Sequence, residues 1–500
     1  MSRSYQANVE FSWKQFWVSM VYENLPPVFL SPLAALLIER APKRAWNVCQ
    51  NRNLLVVTSH KNPLSFVLFS WLITYPGSWL LAVGLFIALT QEAGASGVID
   101  PLQMIFAYSL VFVRRLIISV KYGYFSSEEY AALADPPGWD YEKSQRKLIA
   151  QGWSRPTEFQ GLVSYELEET MHTQSIELRD MHMESGDGKR HNLFDIARGI
   201  IHQAYGDAPP RWFNPLILLA ALIILGSLIY VRTLHGQPLI GSDWQEMIVT
   251  LAIYGGLLSS MGLMGFGLLC GYDFARRIRA SELYYRALMP PGLELKMPDG
   301  QNEHIFFDKH SPNCVNGWVQ SRAVVRGFGE RFYRRVQSYT SLLISYSVLC
   351  VGLLNFMMWT QIPHQAATAV TMGTTVFVIS FIGSYAMYAA IRLQRCSYLQ
   401  RAALQQELLS LEVEIGVLSQ QDTSAEQMQR LSTAKTLLQQ VDENVNYEEL
   451  VFRPTAILGY RAEGGLIGSV LGIVITGALL VLQGFASMAI TYDATGWFGG

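Results

Sequence analysis

The sequence predicts an all-α, polytopic membrane protein. It would have seven transmembrane helices, a cytoplasmic N-terminus, an outer C-terminus, and long helices continuing into the cytoplasm. Three observations predict this. Half of the 500 residues are apolar and only 16% are charged, against about 25% in a soluble domain, so lipid must replace water over part of the surface. Seven stretches approach the roughly 20 apolar residues that cross a bilayer as a helix, which satisfies its own backbone there. Lysines and arginines then collect on one side of those stretches. A mean hydropathy of +0.19 is too low for spans alone and requires aqueous segments as well.

The first segment, residues 1–63, lacks a charged-then-apolar leader pattern and is expected to stay cytoplasmic or interfacial. Within it Trp13, Phe16, Trp17, Met20 and Val21 step at helical spacing into one apolar stripe, suited to lying along a membrane surface. Val28 to Ile38 is too short to span and reads as an interfacial or buried helix rather than an eighth span. Residues 64–120 carry the first two spans, Leu64 to Thr90 and Leu102 to Val120, and 121–215 form a first cytoplasmic loop. Residues 216–272 carry Leu216 to Tyr230 and Met247 to Tyr272, and 273–335 form a second loop. Residues 336–391 carry Val336 to Thr360 and His364 to Ile391. A cytoplasmic hairpin follows over 392–463, the seventh span over 464–490, and an outer tail over 491–500.

Orientation follows from charge. Arg232 is the one base in the outer loops, beside Glu92, Asp100, Asp243, Glu246 and Asp493. The outer loops are short and the inner ones long, so what the chain builds outside the bilayer it builds in the cytoplasm.

A faint repeat follows the even-numbered spans. Ser126 to Gly138 (SSEEYAALADPPG) aligns with Ala280 to Gly292 (ASELYYRALMPPG), and Ser397 to Leu404 (SYLQRAAL) with Ser281 to Leu288 (SELYYRAL). Each spanning helix is expected to continue inward, then break at Pro-Pro-Gly or turn into another helix. In the third loop Leu404, Leu408, Leu411, Ile415 and Leu418, then Leu431, Ala434, Leu438, Val441 and Val445, alternate steps of three and four. These are coiled-coil seams, and Thr423-Ser424-Ala425-Glu426 fits a capping box opening the second helix. An antiparallel hairpin is expected.

The chemistry is sparse. No phosphate-binding glycine loop, nucleophile elbow, zinc-protease motif or calcium loop is present, so an enzyme, a cofactor and a metal site are not expected. The net charge of -2 gives no reason for a nucleic-acid partner. Five scattered cysteines form neither a disulfide framework nor a metal motif; Cys270 and Cys350 read as small buried hydrophobes. His172, His182, His191 and His202 read as a solvated face. Arg114 and Arg115 are the formal charges inside the spans. They read as a structural pair snorkelling to lipid headgroups, with voltage sensing or lipid-phosphate binding as the sharper alternative.

The seventh span is the unusual one. Gly464, Gly468 and Gly472 recur every four residues, which allows close backbone approach. Beside them Gly465, Ser469, Gly472, Thr476, Gln483 and Ser487 form a small and polar seam. It lines a pore or packs against helices. The fourth span holds close-packing glycines too, at Gly262, Gly265, Gly267 and Gly271.

Inverted seven-span topology, extended inner helices and this last span resemble the insect gustatory and odorant receptor superfamily of seven-helix ion channels. Its gustatory branch carries Thr-Tyr, five hydrophobic residues, then Gln-Phe in the last helix. Here Thr476 and Gln483 keep that spacing, Gly477 replaces the tyrosine, and Gly484 displaces Phe485 by one place. The resemblance implies a homo- or hetero-oligomer, a tetramer in that family, around a pore lined by the last helix, with a small-molecule ligand. The expected function is a ligand-gated, non-selective cation channel subunit in the lipid bilayer of the plasma membrane rather than of an organelle. The alternatives are a secondary transporter of a small neutral solute, bound among the fourth and seventh spans, and a non-conducting scaffold acting through the helical hairpin.

Overall fold

The computed structural model describes residues 11–24, 75–90, 100–124, 182–184, 190–205, 210, 212–296, 302–327, 330–360, 366–420, 424–448, 455–465, 468, 472 and 475. Ten helices dominate them. They are α1 (Trp13–Asn24), α2 (Tyr75–Thr90), α3 (Pro101–Gly123), α4 (Leu193–Tyr205), α5 (Phe213–Leu234), α6 (Trp244–Leu288), α7 (Pro312–Gly327), α8 (Glu330–Thr360), α9 (Ala366–Leu418) and α10 (Ala425–Asn446). Three two-stranded antiparallel ribbons join them: β1 (His182–Glu184) with β2 (Arg190–Asn192), β3 (Leu293–Lys296) with β4 (Asn302–Ile305), and β5 (Ala456–Ile457) with β6 (Tyr460–Arg461). The all-α expectation omitted these ribbons. In β3, Leu293-Glu294-Leu295-Lys296 alternates apolar and charged at the period of a strand, and both leucines are buried.

Five helices are long and apolar enough to cross a membrane: Pro101–Val120, Phe213–Leu234, Trp244–Leu288, Tyr333–Met357 and Ala367–Leu418. They cover the expected second to sixth spans. Of the first span, α2 is described, with the shorter apolar stretch Leu80–Thr90; residues 64–74 lie outside the described residues. So do most of the seventh span, the tail 491–500, Val28 to Ile38, and Ser126 to Gly138.

Two hydrophobic cores divide the described residues. The first gathers α1, α2, α3, α5, α8 and the first parts of α6 and α9. The second gathers α4, α7, α10, β3, β4 and the last parts of α6 and α9. Helix length explains the division. At 1.5 Å per residue the 45 residues of α6 and the 53 of α9 run about 70–80 Å, whereas the hydrocarbon core of a bilayer is about 30 Å thick. Each helix is therefore long enough to span and then continue as the wall of a second unit. There Trp318, Leu411, Ala434 and Leu438 are fully buried, and burial of a leucine side chain from water contributes about 1.5–3 kcal/mol.

Local signals set the ends. Asp243 caps α6, its carboxylate accepting from the Glu246 amide at 2.7 Å, while Glu246 accepts from the Ser242 amide at 2.9 Å. α6 stops at Leu288 because Pro290 and Pro291 cannot continue it, and Gly292 supplies a φ of +103° that leads into β3. α10 opens one residue later than the Thr423 box. Ser424 is the N-cap, its side chain accepting from the Gln427 amide; Thr423 lies outside the described residues. The α9–α10 hairpin is antiparallel, since Arg401 pairs with Asp442 and Glu412 with Lys435, the numbers rising on one helix as they fall on the other. α1 turns Phe16 and Met20 inward while Trp13 and Trp17 stay exposed, so the apolar stripe divides between the core and the surface.

Candidate functional site

Of the small residues singled out in the seventh span, Gly464, Gly465, Gly468 and Gly472 are described, all helical and exposed. A Cβ added at any of those glycines would meet nothing within 4 Å. Ser469, Thr476, Gln483 and Ser487 lie outside the described residues.

The fourth-span glycines, by contrast, face neighbours. At Gly267 a Cβ would stand 2.5 Å from Ile382 Cγ2, and at Gly271 it would overlap the Tyr385 ring, so both are places where α6 and α9 approach closely. Gly265 faces Ile217 of α5 at 3.7 Å, and Gly262 faces the Arg114 stem at 3.1 Å. Arg115 is buried at 5% exposure and Arg114 is half-buried. Cys270 and Cys350 are buried.

Two polar assemblies were missed by the sequence reading. The first closes the end of the bundle where α6 begins. Asp100 caps α3 through the Leu102 amide at 2.9 Å and also accepts from the Thr368 hydroxyl of α9. One turn along, Gln103 accepts from Arg232 Nη2 at 3.3 Å. Asp100, Gln103, Arg232, Glu246 and Thr368 are all under 5% exposed. The signal available was Arg232 itself, the one base in the loops expected to lie outside.

The second assembly lines a cavity of about 80 Å³ where the two cores meet. α6 contributes Arg277 and Tyr284, α7 contributes Arg322 and Arg326, α8 begins at Glu330, and α9 contributes Gln394 and Gln400. Ion pairs and amides fix the positions. Arg277 Nε donates to Asp273 at 3.0 Å and its guanidinium lies 4.4 Å over the Tyr333 ring. Arg326 donates to the side chain and the carbonyl of Glu448 at 3.1 and 2.9 Å. Arg322 Nε donates to Gln400 Oε1 at 2.9 Å, and Gln400 Nε2 in turn donates to the Ser281 carbonyl at 2.8 Å. Ser281 and Gln400 belong to the two faintly repeated segments, which thus meet face to face. Burial, and then the nearby charge of Arg326, push the Arg322 guanidinium down to about 9. Burial likewise pushes the Tyr205 phenol, which also lines the cavity, up to about 12, so it is a neutral donor at neutral pH.

His191 corrects the solvated-face expectation: it is 8% exposed and bonds Glu303 at 3.1 Å, because β2 folds it against β4. His182 is exposed, His202 is half-buried, and His172 lies outside the described residues. Among the described residues no group of three or more metal-ligating side chains converges.

The arrangement can hold charge. Comparison with family models, curated proteins and solved structures finds no match to this chain.

Proposed function

We propose that this protein is a subunit of an oligomeric, ligand-gated, non-selective cation channel of the plasma membrane, crossing the bilayer seven times with its N-terminus in the cytoplasm. One observation carries the reading. Gly465 and Gly472 lie seven residues apart on one helical face with Gly468 between them; all three are exposed, and a Cβ added at any of them would meet nothing within 4 Å. An exposed small-residue face suits a conduit between subunits. Helical spacing continues it through Ser469, Thr476 and Gln483, whose hydroxyl and amide groups can hydrate a passing ion without trapping it. The resemblance to seven-helix receptor channels points the same way. Reconstituted in planar bilayers, the protein should give unitary cation currents that change with Gln483→Leu or Ser469→Ala, and detergent particles should contain several subunits. A strict monomer without currents would sink the proposal.

A second observation favours a secondary transporter of a small neutral solute. Inside the apolar bundle Gln103 Nε2, Thr250 Oγ1 and Ser380 Oγ are buried without a hydrogen-bond partner. Such groups are costly unless something polar visits them. Saturable solute uptake without unitary currents would select this reading over the channel.

A further inference from the structure

We propose that the outer face of α9 binds a second copy of this chain, forming a parallel two-stranded coiled coil beyond the membrane. The inference does not depend on conduction. Leu404, Leu408, Leu411, Ile415 and Leu418 turn one face of α9 toward the second core. A second seam runs along the opposite side. Leu399, Ala402, Gln406, Leu409, Val413 and Gly416 alternate steps of three and four, and all six are exposed among the described residues. Leu399, Leu409 and Val413 are 44%, 64% and 68% exposed. The outer face of α10 differs: its exposed Ser432, Thr433, Thr436, Gln439 and Gln440 are polar and suit water. Within one hairpin, then, one outer face is solvated and the other carries an apolar stripe, which marks a contact surface.

The pattern of the seam says what covers it. Steps of three and then four are the a and d positions of a heptad, the spacing at which a second helix packs its knobs. Counting Leu399 as a places Val413 at a and Leu409 at d, a combination that favours two strands. Copies of one membrane protein enter a bilayer in the same sense, and α9 is apolar enough over part of its length to cross it. Two α9 helices therefore lie parallel, and each seam residue faces itself across a two-fold axis. That symmetry suits the polar and small members. The two Gln406 amides can each donate to the carbonyl of the other, and at Gly416 a Cβ would meet nothing within 4 Å, which leaves room for close approach. Charge agrees. No seam residue is charged; at the rim Gln405 would stand opposite Ser410, and Glu412 already pairs with Lys435 of its own chain at 2.7 Å. Arg392 and Arg395 hold the two preceding seam positions, where like charges would meet, so contact begins at Leu399. A neutral, self-complementary face offers a strongly acidic or basic partner nothing to pair with.

The test uses the full-length chain in the membranes of the expressing cells, oxidised with copper phenanthroline. Leu409→Cys and Val413→Cys, both at exposed positions that the fold tolerates, should each give a disulfide-linked dimer above the wild-type background. Ser432→Cys on α10 controls for chance collision and should cross-link about tenfold less, since only the seam holds two copies at a high effective concentration. Gln406→Cys should cross-link as well. Adding Leu409→Glu with Val413→Glu sets like charges face to face and should cut that yield about tenfold or more in folded protein. The proposal is overturned if Leu409→Cys and Val413→Cys cross-link no more than Ser432→Cys, the outcome expected if another segment of this chain or a different protein covers the seam. It is overturned equally if the paired glutamates leave the Gln406→Cys yield unchanged. Unitary currents bear on the channel reading alone: their absence with the cross-links intact would sink the channel and leave this contact standing.

Discussion

Gly267→Ala should destabilise this protein even though alanine is the better helix former. In an open helical position the exchange gains about 1 kcal/mol. At Gly267 the new Cβ would stand 2.5 Å from Ile382 Cγ2 and 3.3 Å from Leu343 Cδ1, where carbon atoms settle at about 3.5–4.0 Å. The deficit against Ile382 is roughly 1 Å. Ile382 is 4% exposed and, being β-branched in a helix, holds nearly a single χ1 rotamer, so α6 and α9 must move apart. Overpacking of this kind costs about 1–3 kcal/mol. In lipid no hydrophobic transfer compensates for a lost fit, because helix association there depends on close packing.

Gly255→Ala supplies the control, since it lies on the same helix and its Cβ would meet nothing within 4 Å. Thermal unfolding in one detergent should place Gly267→Ala below Gly255→Ala by about 1–3 kcal/mol. Ile382→Ala removes the obstructing methyl, so the double variant should recover part of the loss, a coupling of about 1 kcal/mol or more. Gly267→Ala as stable as Gly255→Ala, or strict additivity with Ile382→Ala, would refute the packing argument.

Two further outcomes follow in the second core. Ser424→Ala removes the α10 cap and should cost about 1 kcal/mol, visible as faster hydrogen exchange at the Gln427 amide; unchanged exchange would mean that the cap is not formed. Glu407 holds Lys309 at 2.6 Å and His310 at 2.8 Å. Burial alone would raise its carboxyl, but hydrogen bonds and charge from those two partners outweigh it and hold the group below its ordinary value. A depressed carboxyl stabilises the fold above the unfolded pKa of about 4.3, and that contribution is lost as pH falls through the folded value. The melting-temperature lead of wild type over Glu407→Gln should therefore shrink as pH falls below about 5; a lead that grows below that pH contradicts the pairing.

The sequence made some parts of this fold legible because their causes are local. Leu102 to Val120 and Met247 to Tyr272 lie within α3 and α6, since a long, predominantly apolar stretch in lipid leaves the backbone little choice but helix. The three-four stepping of Leu404 to Leu418 and Leu431 to Val445 marked both sides of the hairpin, as the side-chain period is a property of one helix. The cavity was illegible for the opposite reason. Arg277, Arg322 and Gln394 come from three helices more than 40 residues apart in sequence, and nothing in any one segment says that they meet. His191 was misread similarly: the residues beside it, Arg190 and Asn192, are polar, and it bonds Glu303 of a strand more than 100 residues away.

The end of the bundle where α6 begins shows how a span boundary drawn by hydropathy can mislead. Asp100 stands two residues before the predicted second span and Arg232 two residues after the predicted third, about 3 Å along a helix axis in each case. Both are buried at 3% and 1% exposure, so the charges excluded from the spans still belong to the bundle. Hydrogen bonding, rather than charge as such, accounts for Asp100: one carboxylate oxygen caps α3 and the other takes the Thr368 hydroxyl. Asparagine caps a helix about as well as aspartate and can reverse the bond to a hydroxyl. Asp100→Asn should therefore lose only its longer-range attraction for Arg232, whereas Asp100→Ala forfeits a cap and a buried hydrogen bond, about 2 kcal/mol together. Thermal unfolding in detergent should rank wild type above Asp100→Asn and Asp100→Ala last. If asparagine proves as damaging as alanine, then the carboxylate charge, rather than its hydrogen bonds, holds this end together.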